Sequence, residues 1–237
     1  MRNYFSYFII LILSLVLGSC DDGRIYPAES TGLEGKVVKL TGTVSGLENW
    51  SNKYNIELAA FDKDEDYAVI SKVVTADEDG NVSVVLSGIT DDCTKIELCA
   101  LNKLRRKVVS FSTMDLEATA SDTIYMSVED LDISMFNAIQ QNVFNTTCAN
   151  CHGASNYAAA DLYLTEGKSY QYLVNKASSK VENYNIVEPG DTSKSVLHKV
   201  LNTDLTTTWR YSHTSEITSD MILTLIDNWI LNGAKEN

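Results

Sequence analysis

The sequence predicts a two-domain chain, an all-β sandwich followed by an all-α domain. Three observations carry that prediction. Short runs rich in β-branched and aromatic residues recur at sandwich spacing between residues 36 and 131. Apolar positions then change to helical spacing, most plainly at Ile222, Leu225, Ile226, Trp229 and Ile230. Charge changes at the same boundary: residues 20–135 carry 11 basic and 22 acidic side chains, whereas residues 136–237 carry 7 and 10. The expected division is a signal segment at 1–19, a tether at 20–35, the sandwich at 36–131 and the helical domain at 132–237.

Residues 1–19 read as an export signal. Arg2 supplies a positive start, and Phe5 to Leu17 is apolar except for Ser6 and Ser14. That run is too short for a transmembrane helix, which needs about 20 apolar residues. It ends in Leu17-Gly18-Ser19-Cys20, which resembles the lipobox of bacterial lipoproteins. The resemblance implies that Cys20 is acylated and becomes the first residue of the mature chain. Acyl chains hold a protein to a bilayer through about 0.8 kcal/mol per buried CH₂. Asp21 and Asp22 follow at once and resemble lipoprotein sorting signals of bacteria with two membranes. The expected location is therefore the outer membrane, on its periplasmic or cell-surface face. Gly23, Pro27, Ser30, Gly32 and Gly35 give the next segment the composition of a tether.

Strands are expected near 36–44, 54–61, 67–74, 82–86, 95–101, 108–114 and 123–128. Asp79-Gly80-Asn81 marks a turn, because Gly and Asn tolerate positive φ. The pattern around Val73–Leu86 resembles the immunoglobulin-like and transthyretin-like modules of bacterial surface lipoproteins. Cys93 and Cys99 flank a single strand, about 20 Å apart at full extension, which excludes a disulfide between them. The acidic groups Asp62, Asp64, Glu65, Asp66 and Asp77, Glu78, Asp79 lack the Gly and distal Glu of a calcium loop and read as solvated surface. The formal net charge of −13 makes a nucleic-acid partner a poor fit, since affinity for phosphate comes from Lys and Arg.

The chemistry is concentrated in Cys148-Ala149-Asn150-Cys151-His152. Two cysteines three apart followed by histidine form the attachment sequence of c-type haem. On one helical turn both sulfurs face one porphyrin edge, and the next residue offers an imidazole to the iron. A zinc site and a redox dithiol are the rival readings. Zinc wants further ligands, and His198 and His213 are distant in sequence; a thioredoxin-like pair wants a βαβ context.

The flanks resemble the small mono-haem cytochrome c domain over residues 136–237. The residues that carry the resemblance are a first helix over Phe136–Phe144, Asp161-Leu162-Tyr163-Leu164, the turn Ile186–Asp191 with Thr192 or Ser193 as a cap, and a closing helix over Ser219–Asn232. The resemblance implies one covalent haem c held by Cys148 and Cys151, with His152 as the proximal iron ligand. The family's usual distal Met-Pro is missing from this chain. His213 stands closest to its place and is the expected distal ligand; His198, Met221 and an open position are the alternatives. The implied function is one-electron transfer with redox partner proteins, as a carrier rather than a catalyst. A haem enzyme or ligand sensor with an open sixth position, and a surface binding lipoprotein that carries a haem module, are the other two readings.

Overall fold

The computed structural model describes residues 35–116, 122–153, 157–203 and 211–236. The signal segment, Cys20 and nearly all of the expected tether lie outside them. Seven strands form first: β1 (Lys36–Ser45), β2 (Tyr54–Asp62), β3 (Ile70–Val73), β4 (Asn81–Ile89), β5 (Cys93–Asn102), β6 (Lys107–Asp115) and β7 (Thr123–Asp132). They make a three-stranded sheet in the order β4-β1-β7 and a four-stranded sheet in the order β3-β2-β5-β6. All pairs are antiparallel except β1 with β7, which run parallel from Val37 opposite Thr123.

Alternation decides the inner faces. Val38 and Leu40 of β1, Val82, Val84 and Leu86 of β4, and Ile124 and Met126 of β7 meet Ile56, Leu58, Ile96 and Leu98 of the larger sheet in one apolar core. Strand β3 is shorter than its apolar run, and backbone bonding explains why. Tyr67 bridges to Arg106, the Ala68 N–H donates to the Arg105 carbonyl and the Val69 N–H to that of Ala60. Residues 67–69 are spent crossing the β5–β6 hairpin before the strand starts. Cys93 and Cys99 are both buried free thiols in β5.

The helical part begins with one continuous run. Helix α1 (Met135–Ile139) widens into a π-helical stretch (Gln140–Cys148) and tightens again into α2 (Ala149–His152). Ser134 caps its start, its hydroxyl accepting from the Asn137 N–H at 3.2 Å. Three helices follow: α3 (Ser169–Leu173), α4 (Val196–Asn202) and α5 (Asp220–Leu231). Ser219 caps α5 through the Ile222 N–H, and Leu225, Ile226, Trp229 and Ile230 form its buried stripe.

The expectation of a sandwich followed by a separate all-α cytochrome c domain is corrected here. Glu34–Asn237 is one compact unit, mostly β, with a small helical part at its end. The helices are too short to bury their apolar stripes against one another alone. They complete the sandwich instead: Phe136, Phe144, Leu225 and Trp229 belong to the same core as Leu40 and Leu58. Polar contacts seal the junction. The Trp50 indole donates to the Ile133 carbonyl at 2.7 Å, and Asn228, buried on α5, donates to the Tyr54 hydroxyl and accepts from Lys53, each at 2.8 Å. Gly46 marks where β1 passes under the first helix: its φ is +79°, and a Cβ there would lie 2.5 Å from Ser134 Cβ. The charge change near residue 136 falls inside this one unit.

Candidate functional site

The π-helical stretch ends on Cys148, and α2 carries Cys151 and His152. Three residues of helix bring Cys148 and Cys151 round to neighbouring positions on one face. Cys148 is half-buried against the core and Cys151 is exposed. Burial, with a smaller push from Glu216, raises the Cys148 thiol to about 11, so it stays protonated near neutrality. Gly153 follows, and a Cβ there would lie 2.4 Å from the Ala149 carbonyl oxygen, so the chain leaves the helix close against its own last turn.

His152 is oriented by the backbone. Its Nδ1 lies 2.9 Å from the Ala159 carbonyl oxygen. A carbonyl only accepts, so Nδ1 carries the hydrogen and Nε2 of the neutral ring presents its lone pair. The chain then doubles back through Ala160 and Asp161, both left-handed with φ of 56° and 54°. The Leu164 N–H closes the loop onto the His152 carbonyl at 2.7 Å. Below it, buried Gln140 donates to the Leu164 carbonyl at 3.1 Å and accepts from the Ser169 hydroxyl. This buried amide fastens the helical run to the segment that orients His152.

His213 is brought to the same place from the far end of the chain. Its ring centroid lies 6.3 Å from that of His152, with 28° between the ring planes. Tyr211 meets His213 edge-on at 5.2 Å. Burial and then the neighbouring His152 hold His213 below its ordinary value, so the neutral ring is favoured. A metal–imidazole bond is about 2.0–2.1 Å and the ring nitrogen sits about 1.1 Å from the ring centre, so a metal held in line between two imidazoles sets their centroids about 6 Å apart. The observed centroid spacing is of that size, and the two rings lie nearly parallel.

The other sequence candidates are placed elsewhere. His198, on α4, has Nδ1 2.7 Å from Asp227 Oδ1 on α5 and ties those two helices together. Met221 is half-buried in the first turn of α5. The expected caps Thr192 and Ser193 are replaced by Asp191, whose carboxylate accepts from the Ser193 and Lys194 N–H groups at 2.9 and 3.2 Å. The Asp77 carboxylate is taken up by its own turn, accepting from the Asp79 and Asn81 N–H groups. Sequence reasoning missed the Ala159 carbonyl, because every residue type carries one, and the Gln140–Ser169 bond, because nothing local marks it.

No family model matches this chain, and no curated protein matches it. Among the described residues, no group of three or more His, Cys, Asp or Glu side chains is gathered to hold a metal ion. The resemblances to the cytochrome c domain and to the immunoglobulin-like or transthyretin-like sandwich are corrected on these findings and on the single β-rich unit described above. The similarity lies in short motifs and does not extend to a family. Nor, among the described residues, is any helix long and apolar enough to cross a membrane.

Proposed function

We propose that the chain carries one covalent haem and works as a lipid-anchored one-electron carrier. Cys148 and Cys151 would each add their S–H across one vinyl group, giving two thioethers with no net oxidation. His152 and His213 would hold the iron. When bound, haem iron supplies a reversible one-electron couple. The observation that carries this reading is the approach of the His152 and His213 rings to 6.3 Å between centroids, with the paired cysteines on the helical run that carries His152. The arrangement does not depend on the domain family, since it is built from a helical turn, a backbone carbonyl and a loop.

The chain's own residues do the rest. Ala159 fixes the tautomer of His152, and such partners commonly change metal affinity 10–100-fold. Two imidazoles favour the oxidised iron more than an imidazole and a thioether do, so the couple should lie low. Acylation of Cys20 after export would keep the carrier at the outer membrane, where it exchanges electrons with partner proteins.

The decisive test is spectroscopic. His213→Ala should convert six-coordinate low-spin iron to high-spin, and added imidazole should restore it. Substituting His198 or Met221 should leave the spectrum unchanged. A spectrally silent His213→Ala removes His213 from the iron. Haem that extracts freely from the unmodified protein under denaturing acid removes the covalent claim. For the anchor, Cys20→Ser should abolish membrane partition; equal partition of both forms removes acylation.

A further inference from the structure

The loop that delivers His213 carries a second feature, a carboxylate held in place three residues further on. The Tyr211 hydroxyl donates to Glu216 Oε1, and the Glu216 N–H donates to the His213 carbonyl at 3.1 Å. Residues 211–216 are thereby closed into one turn, with His213 inside it. Glu216 is half-buried, and its charge adds to the upward push of burial on Cys148 and partly opposes the lowering of His213. Among the described residues, no Lys, Arg or His forms an ion pair with it. Tyr211 is more than half exposed, so its hydrogen bond does little for the core.

We propose that Glu216 is a positioning residue that holds His213 toward His152 and lowers the potential of the iron through its fixed negative charge. The proposal rests on the haem reading above. The physics is direct. A nearby anion stabilises the ferric state over the ferrous state because the ferric site carries one more positive charge. The effect is large only when the anion cannot move away, and the Tyr211 bond and the backbone bond to His213 supply that restraint. Partial exposure makes the effect sensitive to salt.

The experiment is spectroelectrochemical titration of full-length holoprotein, with haem retention scored on denaturing gels of the same samples. Glu216→Gln keeps the shape and should stay low-spin, but its midpoint potential should rise. That rise should shrink as ionic strength increases. Glu216→Asp keeps the charge and should stay nearer the parent value. Tyr211→Phe keeps the charge but frees it, so its midpoint should move less than in Glu216→Gln, while its iron should bind exogenous imidazole or carbon monoxide faster. An unchanged midpoint in Glu216→Gln at low and high salt, on protein that retains haem, overturns the role of Glu216 and leaves the attachment standing. Parent protein that retains no haem overturns both.

Discussion

Strand β5 and the helical run from Met135 to His152 bury their side chains by different rules. In β5 the period is two, and both faces are used: Ile96, Leu98 and Ala100 enter the main core, while Cys99 and Leu101 join Ala59, Phe61 and Ala68 in a second cluster. In the helical run the winding itself changes, from α to π and back to α. A wider turn shifts which residues face the core, so Met135, Phe136 and Ile139 and then Val143 and Phe144 are buried before the chain surfaces at Asn145 and Thr146. The strand is fixed by a ladder that any β-rich sequence can make. The helical run is fixed by what it packs on, and π-helical segments tend to mark functional sites. A regular sheet thus carries a locally irregular helix that ends on the paired cysteines.

The strongest break in this comparison is chemical. Cys148→Ala with Cys151→Ala should abolish covalent haem completely, as scored by haem stain after denaturing electrophoresis. The strand signal in far-ultraviolet circular dichroism should survive, because neither cysteine is among the core's fully buried side chains. Loss of that signal together with the haem would mean that the sheet depends on the site.

A second break asks whether the two regions unfold together. Trp229 is 2% exposed and lies 5.4 Å from the Phe136 ring, inside the core that the strands and helices share. Trp229→Ala should cost about 3–5 kcal/mol. Strand circular dichroism and the haem absorption band should then shift to lower denaturant by the same amount. Two resolved transitions would restore the picture of independent domains that the continuous core contradicts.

How much of this was legible in the sequence follows from the same contrast. Strands announce themselves locally, so β1, β2 and β4–β7 fall close to their apolar runs. β3 does not, because Tyr67–Val69 bond to a hairpin that lies more than thirty residues downstream. The first helix was legible only over Phe136–Phe144, since helical periodicity assumes one winding throughout. The sequence makes the helical part look separate for a physical reason: Tyr54 and Asn228 are far apart in sequence, and nothing local says that they share a hydrogen bond. At the site, Cys148, Cys151 and His152 form one contiguous motif, whereas the link to His213 had to be supposed from its position. The Tyr211–Glu216 bond is invisible in the sequence, because nothing local marks it.

The junction offers a smaller test. Asn228→Ala would leave the buried Tyr54 hydroxyl and the Lys53 ammonium without their partner. The expected cost is about 1–3 kcal/mol, read from a denaturation midpoint with unchanged slope. Asn228→Asp should recover part of it, because a carboxylate still accepts from Lys53 and can accept from the Tyr54 hydroxyl once that bond reverses. A silent Asn228→Ala would show that the helical part rests on the sandwich through apolar packing alone.

The smallest effect is the most discriminating, because it places one carboxylate in each region. Asp77 lies in the turn before β4, and the Asn81 side chain, then its backbone N–H, hold the carboxyl below its usual value. Asp191 lies in the helical part, and the Ser193 side chain first lowers it in the same sense. A carboxyl whose native value is depressed stabilises the fold fully above its unfolded value, and that stabilisation fades as pH falls through the depressed native value. Asp77→Asn and Asp191→Asn should therefore each lower the melting temperature at neutral pH and lose that difference in acid. Both groups are solvent-exposed, so each shift should be small. If Glu34–Asn237 melts as one unit, the two variants displace the same transition, and their effects add because the turns share no partner. If the helical part opened by itself, Asp191→Asn would shift only the haem-band transition and Asp77→Asn only the strand signal. Melting curves of both single variants and the double variant, at neutral and acidic pH, separate these outcomes.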